Sequence, residues 1–417
     1  MICKEISKCR ICGSSDLKPI VDLGTMHLTG VFPKNKKENV GCGPLELVKC
    51  DDSRDGKKCG LVQLRHNYNP ALLYGQDYGY RSGLNQSMVS HLHGKVKKIL
   101  ETVELSADDL IVDIGSNDST LLQAYPKAGL ILVGIDPTGK KFKQYYPSRI
   151  NLISEFFPSS AFKKKYGNRK AKIITSIAMF YDLDNPVSFA QDVYDNLDDK
   201  GVWVFEQSYM PTMLDRLAYD TICHEHTEYY ALKQIKYILD KTNFKIVDVE
   251  FNSTNGGSFS VLAAKKGSKY RENTGLVRKI LTDEEKKGLN HTDIFKQFNK
   301  KIKTHRDLLR EFIHKTNEGG KKILGYGAST KGNVILQYCN LTKKDIPCIA
   351  EVNVRKFGCF TPGTLIPIVS EDEAKKLNPD YFMVLPWHFK DNIIEREKKF
   401  LAAGHHLFFP LPKLLVF

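Results

Sequence analysis

Short runs of β-branched and other apolar residues alternate with amphipathic, helix-like stretches between about residue 73 and residue 270. This alternation constrains the fold more than any other feature of the chain. The runs occupy residues 111–114, 131–135, 173–175 and 202–205. Each is too short for a helix and is expected to form a strand buried on both faces. Strands that alternate with helices in this way predict a doubly wound α/β fold with a parallel sheet.

The chain on either side of this region has a different texture, and 417 residues are enough for two or three domains. The first 72 residues are rich in Cys, Gly and turn formers, whereas residues 280–318 are charged, periodic and free of Pro, which predicts one or two helices. Apolar runs return at residues 323–327, 346–350 and 381–385. We therefore predict a small N-terminal module, a Rossmann-like domain and a second, smaller Rossmann-like domain, over residues 1–72, 73–270 and 271–417.

The formal net charge of +14 raises nucleic acid, membrane phosphates and polyanionic substrates as candidate partners. The lysines are dispersed, and no segment alternates aromatic residues with arginines as a nucleic-acid platform does. No apolar run approaches the roughly 18 residues of a membrane helix, and the N-terminus lacks the apolar core of a signal peptide. We expect a cytoplasmic monomer that binds neither nucleic acid nor membranes.

Six of the ten cysteines lie within the first 59 residues, and clustered cysteines in a cytosolic chain indicate a metal before they indicate disulfides. Two of them form a C-x-x-C knuckle, and a second pair would complete a tetrahedral zinc site. The best candidates for the four ligands are Cys9, Cys12, Cys50 and Cys59. Cys42 and Cys3 compete for one position, a polar loop at residues 51–58 separates the second pair, and free thiols are the alternative. Four thiolates leave no open position, so this Zn²⁺ would be structural.

A cofactor site is predicted where the run Leu110–Ile114 ends in a glycine turn, because ligands bind at the carboxyl edge of a parallel sheet. Gly115 lets the backbone approach a ligand without a Cβ clash, and the carboxylate of Asp136 is placed to accept both ribose hydroxyls. The G-x-G-x-x-G fingerprint of dinucleotides is absent, so S-adenosylmethionine fits better. Gly79–Gln86 precedes the first helix and is placed to cover the cofactor. The candidate cofactor-binding residues are Asp113, Gly115, Asn117, Asp118, Asp136 and Ser176.

Further motifs follow in a fixed order. They are the cysteine module, Asp113–Asp118 (DIGSND), His224–His226 (HEH) followed by Tyr229-Tyr230, Asn255–Ser258 (NGGS), Gly325–Ala328 (GYGA) and Phe360–Thr364 (FTPGT). Each motif alone is weak, but their order over nearly the whole chain is specific. The chain resembles the sugar C-methyltransferases that act on nucleotide-activated keto-deoxysugars.

The resemblance implies a zinc-binding N-terminal part, a class I methyltransferase domain that binds S-adenosylmethionine, and a Rossmann-like C-terminal part that helps to hold a nucleotide-diphosphate sugar. The implied reaction is methyl transfer to a sugar carbon next to a ketone. Such a reaction needs a base to remove the α-proton and a donor to stabilise the enolate.

Candidate catalytic groups lie in and near the HEH segment. The neutral imidazole of His226 is the candidate base, and Glu225 is placed to orient an imidazole or a sugar hydroxyl. In the family, the second His and the Glu of this motif line the active site, and they map onto these two residues. His224 completes the set, and H-E-H is not the H-E-x-x-H spacing that puts two metal ligands on one helical face.

Three positions depart from the family pattern. Cys223 stands where family members have Tyr, Tyr181 stands where His is frequent, and Asn255 stands where a His precedes Gly-Gly-Ser. Tyr181 or Tyr80 is therefore a candidate for the contact with the enolate or a hydroxyl that Cys223 cannot make. These departures leave an O- or N-methyltransferase on a similar sugar as an alternative, and a zinc-ribbon protein that binds nucleic acid as a remoter one.

The run at residues 323–327 leads through a second glycine turn into a helix. Backbone N–H groups at a helix start favour a phosphate, and the turn lacks the third glycine of a dinucleotide site in register, so a sugar-nucleotide diphosphate fits better. We expect Tyr326 to stack on a base, Lys331 and Lys356 to approach phosphates, and Glu351 to bind a ribose. The alternative is a structural unit without a ligand.

Overall fold

The computed structural model describes residues 2–53, 58–74, 80–126 and 129–417. Residues 54–57 of the polar loop and Gly79 of the expected cofactor cover lie outside these ranges. The described residues form an α/β protein with three main sheets of four, seven and six strands and one two-stranded ribbon. No helix among them is long and apolar enough to cross a membrane.

The N-terminal region is an antiparallel sheet with a small ribbon beside it. Its elements are β1 (Cys3–Glu5), β2 (Leu17–His27), β3 (Cys42–Cys50), β4 (Val62–Leu64), β5 (His66–Tyr68) and helix α1 (Pro70–Leu73). On β3 the buried Leu45 and Leu47 alternate with partly exposed residues, as expected of a strand with one face in a core. The fourth strand of this sheet, Glu228–Tyr229, comes from the middle of the chain and pairs with β4.

The middle region contains the seven-stranded sheet. Its elements are α2 (Gln86–Thr102), β6 (Leu110–Ile114), α3 (Thr120–Gln123), β7 (Ile131–Ile135), α4 (Gly139–Phe142), β8 (Ile150–Ile153), α5 (Ser160–Tyr166), β9 (Ala171–Ile177), α6 (Pro186–Asn196), β10 (Leu197–Ser208), α7 (Met210–Asp215), β11 (Glu228–Tyr229), α8 (Leu232–Lys241), β12 (Phe244–Asn252) and β13 (Ser258–Lys265). The strand order is β12-β13-β10-β9-β6-β7-β8, and β6 to β10 are parallel.

The expectation of a parallel sheet is wrong at one edge, where β13 runs antiparallel to both β10 and β12. Asn252 and Ser258 are joined by a short turn, which is too short for the crossover that parallel neighbours require. The central strand β6, by contrast, is buried at every position, as parallel strands covered on both faces are.

The C-terminal region begins with two helices and ends in the six-stranded sheet. Its elements are α9 (Thr274–Lys286), α10 (Asp293–Glu318), β14 (Ile323–Tyr326), α11 (Thr330–Tyr338), β15 (Ile349–Glu351), β16 (Ile368–Ser370), α12 (Glu371–Lys376), β17 (Tyr381–Val384), α13 (Lys390–Arg396), α14 (Lys398–Ala402), β18 (His406–Phe409) and β19 (Leu415–Val416). The order is β16-β15-β14-β17-β18-β19, and all pairs except β18–β19 are parallel. The two predicted Rossmann-like units are therefore confirmed.

The N-terminal sheet and the C-terminal unit share one hydrophobic core, and α10 packs between them against β2 and β14. The buried face of α10 recurs at helical spacing through Phe295, Phe298, Ile302, Leu309 and Ile313. Helix α10 is therefore part of the core that joins the N-terminal sheet to the C-terminal unit, and α11 also contacts β2.

Truncating this buried face should destabilise the protein. We expect Leu309→Ala to lower the free energy of unfolding by about 2–5 kcal/mol, because a fully buried leucine leaves a cavity. The adjacent Leu308 is 57% exposed, and Leu308→Ala should change it by less than about 0.5 kcal/mol. Urea unfolding of both variants measures the difference, and equal losses would contradict the packing described for α10.

Candidate functional site

The four predicted cysteine ligands come together at one end of the N-terminal sheet. The thiol sulfurs of Cys9, Cys12, Cys50 and Cys59 all lie within 4.8 Å of one another. Hydrogen bonds within the cluster lower the pKa of Cys12 and raise those of Cys50 and Cys59. Cys42 is exposed and does not belong to this cluster. The donor set fits a structural Zn²⁺.

A cavity of about 1070 Å³ lies where the three regions meet. Its walls include the turns after β6 and β14, the ends of β7 and β15, the HEH segment, and Gly30 and Phe32 of the N-terminal module. The two glycine turns, which are more than 200 residues apart in sequence, thus face one space. The cavity is large enough to take two ligands of nucleotide size side by side.

The turn after β6 is shaped by backbone conformations and by two carboxylates. Gly115 and Asn117 both have positive φ, at 75° and 48°. The backbone N–H of Asn117 donates to Asp136 Oδ2 at 2.8 Å, which ties the turn to the end of β7. Burial raises the pKa of Asp113 to about 7, although the 2.6 Å hydrogen bond from Thr175 Oγ1 opposes this shift. All four of the predicted residues named here line the cavity.

Asp118 and Ser176 are placed behind the cavity wall. Asp118 Oδ2 accepts the backbone N–H of Gly83 at 2.9 Å, and Asn117 Oδ1 accepts that of Ser82 at 3.0 Å. These bonds hold the described part of the covering segment, residues 80–86, over the turn. Ser176 Oγ accepts from Trp203 Nε1 at 2.9 Å and is fully buried. Both side chains therefore support the site and do not line it.

The HEH segment places its three side chains in two directions. His226 and Glu225 line the cavity, whereas His224 packs edge-on against Tyr68 with ring centroids 4.7 Å apart. Thr29 Oγ1 lies 3.2 Å from His224 Nδ1. His224 therefore anchors the segment to the N-terminal module.

The imidazole of His226 is held in one orientation. Its Nδ1 lies 2.8 Å from the carbonyl oxygen of Thr221, so Nδ1 carries the proton and Nε2 is left as the basic nitrogen. Burial, together with the positive charge of Lys331, lowers the pKa of His226 to about 3. The ring of Tyr181 meets it edge-on at 4.4 Å. The site thus presents a neutral imidazole to the cavity.

The C-terminal unit repeats the arrangement of the first turn. The backbone N–H of Ala328 donates to Glu351 Oε2 at 2.8 Å, as Asn117 does to Asp136. Lys356 Nζ donates to the carbonyl oxygen of Ala328 at 2.7 Å. The ring of Tyr326 is mostly buried, and its hydroxyl donates to Glu397 Oε1 at 2.8 Å. These groups line the cavity around the second turn.

Sequence reasoning missed several residues of the cavity. Gln207 is 1% exposed, lines the cavity, and has no hydrogen-bond partner for its amide N or O among the described residues. His388 lines it from the turn after β17. Gln207 lies two residues after the predicted strand at 202–205, so its position was a usable signal, whereas nothing local marks His388.

Sequence reasoning also missed Gly30, whose backbone lies against the carboxylate of Glu225. A Cβ built on Gly30 would lie 2.1 Å from Glu225 Oε1 and 3.5 Å from Thr330 Oγ1. The absence of a side chain at this position therefore lets the N-terminal backbone lie against a cavity carboxylate, beside the start of α11.

Three family models match successive parts of this chain. They are a zinc binding domain over residues 9–74, a methyltransferase domain over residues 88–249, and a C-methyltransferase C-terminal domain over residues 253–412. A curated relative, the C-methyltransferase NovU of Streptomyces niveus, is 28% identical over 417 residues, covering 99% of this chain and 97% of its own.

Solved structures match the methyltransferase part at low similarity. An S-adenosylmethionine-dependent methyltransferase from Clostridium acetobutylicum is 13% identical with a TM-score of 0.33, over 43% of this chain and 92% of its own. The YcgJ protein of Bacillus subtilis is 12% identical with a TM-score of 0.33, over 42% of this chain and 99% of its own.

Removing a thiol of the cysteine cluster should remove the metal. We expect Cys12→Ser to abolish stoichiometric zinc and to lower the melting temperature, because a tetrahedral site needs all four ligands and its binding energy stabilises the fold. Zinc content by plasma mass spectrometry and calorimetry measure both effects. Cys42→Ser is the matched control and should keep one zinc per chain. Loss of zinc from this variant would show that Cys42 is a ligand in place of one of the four cysteines.

Adding a methyl group at Gly30 should disturb the site without unfolding the chain. In Gly30→Ala the new Cβ must push the Glu225 carboxylate aside, and we expect kcat to fall about 100-fold, as small misplacements in active sites do. The affinity for S-adenosylmethionine, measured by calorimetry, should not change. Gly94→Ala is the control, since a Cβ on Gly94 meets no atom within 4 Å. Unchanged turnover in Gly30→Ala would contradict a role for Glu225.

Proposed function

We propose that this chain is a three-domain C-methyltransferase like the relative it matches, and that it methylates a carbon next to the ketone of a nucleotide-diphosphate-linked keto-sugar. The chain is an S-adenosylmethionine-dependent methyltransferase with a zinc-binding module. The proposal adds the substrate class, the base-assisted mechanism and the residues that perform it.

One observation carries the proposal. The two Rossmann-like units present equivalent turns to the same cavity, and His226 also lines that cavity. A ligand held on each turn would therefore bring its reactive end toward one imidazole. This arrangement favours a reaction between two nucleotide-like substrates over one in which a single cofactor meets a macromolecule.

In the middle unit, we assign the binding of S-adenosylmethionine to the turn at Gly115 and to the carboxylate of Asp136, which ends β7 at the cavity. S-adenosylmethionine supplies the methyl group. Asn117 and Asp118 hold the described part of the covering segment at this end of the cavity. Tyr80, 47% exposed at the rim, is placed to close over a bound ligand.

At the reaction centre, His226 Nε2 takes the proton from the sugar α-carbon. Its neutral state is supported by burial, and its orientation by the bond to Thr221. Glu225, beside Gly30, receives a sugar hydroxyl, and burial raises the pKa of its carboxyl group. The ring of Tyr181 packs edge-on against the imidazole of His226 and limits its motion.

In the C-terminal unit, we assign the diphosphate to the start of α11 and the ribose to Glu351. Lys356, which also lies 4.4 Å from the ring of Phe32, contributes positive charge at this end. We keep Tyr326, which lines the cavity, as the candidate contact for the base. We keep the predicted domain limits at residues 72 and 270, and a monomer, as part of the same proposal.

Mass spectrometry with a panel of nucleotide-linked keto-sugars tests the function. Incubation with S-adenosylmethionine should add one methylene mass, and NMR should place the new methyl group on the carbon next to the ketone. Without the methyl donor, the same α-proton should exchange with deuterium from solvent, because enolate formation comes first. His226→Ala should lose both reactions by about 100-fold or more, the usual contribution of a general base.

The two readouts separate the alternatives. Methylation on oxygen or nitrogen without α-proton exchange would replace C-methylation by another transfer to the same class of sugar. Full exchange in His226→Ala would leave the function in place and refute the base. Binding of S-adenosylmethionine with neither reaction on any keto-sugar would refute the substrate class.

A further inference from the structure

The side chain of Lys331 reaches across the boundary between the two Rossmann-like units. It starts in the first turn of α11 in the C-terminal unit and ends with Nζ donating to the backbone carbonyl oxygen of Asn255 at 2.8 Å. Asn255 follows β12 in the middle unit and also lines the cavity. The ammonium group is therefore fixed at the junction of the units, at a wall of the cavity.

The charge of Lys331 acts on the groups of the reaction centre. It lowers the pKa of His226 and that of His388, in both cases as the second cause after burial. Burial lowers the pKa of Lys331, and the carboxyl group of Asp220 opposes that shift. Lys331 therefore lies within electrostatic reach of His226.

Asp220 is held in place by a hydrogen bond from the C-terminal unit. Trp387 Nε1 donates to Asp220 Oδ2 at 2.8 Å, while Oδ1 is buried and has no partner among the described residues. Arg216 Nη1, 2.9 Å from the carbonyl oxygen of Gly256, braces the turn that receives Lys331. The position of the ammonium group thus depends on contacts from both units.

We propose that Lys331 is a catalytic residue of this site, which donates a hydrogen bond to the ketone oxygen of the sugar as the enolate forms. The inference rests on the proposed function, since it presupposes a keto-sugar in the cavity. An ammonium group has three donors, and the bond to Asn255 uses one of them. The two remaining N–H donors of the ammonium group carry a positive charge, which attracts the negative oxygen of an enolate.

The step balances as a proton transfer. His226 Nε2 takes the α-proton, the electrons of the C–H bond form a C=C bond, and the electrons of the C=O bond move to oxygen. The negative oxygen is then paired with the Lys331 ammonium, and the imidazolium is the conjugate acid. Electrostatic stabilisation of this kind is strongest where water is excluded.

The neighbouring polar groups are less suited to this task. The thiol of Cys223 lines the cavity, but burial raises its pKa, so it stays a neutral and weak donor. Burial lowers the pKa of His388, which keeps its imidazole neutral as well. A cation stabilises a developing negative charge more strongly than either neutral group.

Deuterium exchange at the sugar α-carbon, without S-adenosylmethionine and at saturating keto-sugar, tests the role of Lys331. We expect Lys331→Met to lower the saturated exchange rate by about 100- to 1000-fold, the effect of losing one donor to a developing oxyanion. Lys331→Arg should retain part of the rate. Lys343→Met is the matched control, because Lys343 is an exposed lysine of the same unit outside the cavity, and this variant should exchange at the wild-type rate. Calorimetric binding of S-adenosylmethionine to each variant shows that it is folded.

Each result has one meaning. Exchange at the wild-type rate in Lys331→Met would overturn the inference and leave the proposed function standing. An effect on half-saturation alone would also overturn it, and would return Lys331 to the phosphate contact expected from sequence. Absence of exchange in the wild-type protein with every keto-sugar would refute the proposed function and this inference together.

Discussion

The site depends on a pairing of two short strands from distant parts of the chain. Glu228 and Tyr229 of β11 join the N-terminal sheet beside β4, and the backbone N–H of Leu64 donates to the carbonyl oxygen of Thr227 at 2.8 Å. The HEH segment immediately precedes this pairing and has no regular structure of its own. Its position is therefore set by the edge of a sheet that belongs to another region.

The cysteine cluster acts on the same edge. Arg10, inside the knuckle, donates from its backbone N–H to Gln63 Oε1 at 3.1 Å and from Nη1 to the carbonyl oxygen of Leu64 at 2.7 Å. A metal that orders the knuckle would thereby order β4, and β4 orders the segment that carries His226. A zinc ion at this cluster would in this way be coupled to the position of His226, through the hydrogen bonds that join Arg10 to β4 and β4 to Thr227.

Local patterns predicted the strands, the two glycine turns and the cysteine ligands, because each depends on residues close together in the sequence. The contacts that complete the site have no such signal. Thr29 meets His224 across a separation of 195 residues, and β11 is too short to show a periodicity. The antiparallel β12 did carry a readable alternation, with Val249 buried beside the outward Glu250, and the sequence analysis did not identify it. Side-chain direction could not be predicted from the sequence either, because adjacent residues of the HEH segment point into different regions.

The two Rossmann-like units use the same bond, in which a carboxylate at the end of the second strand accepts a backbone N–H from the turn after the first. In each unit this bond fixes the turn before a ligand arrives, so little ordering is required on binding. Both turns open into one cavity, so ligands held on them would have their reactive ends confined to that cavity. His226 of the middle unit and Lys331 of the C-terminal unit both line it. A reaction that needs both of these side chains would therefore require the two units to be docked, and the contacts of Asn255 and Trp387 across their junction would then support the site as well as the fold.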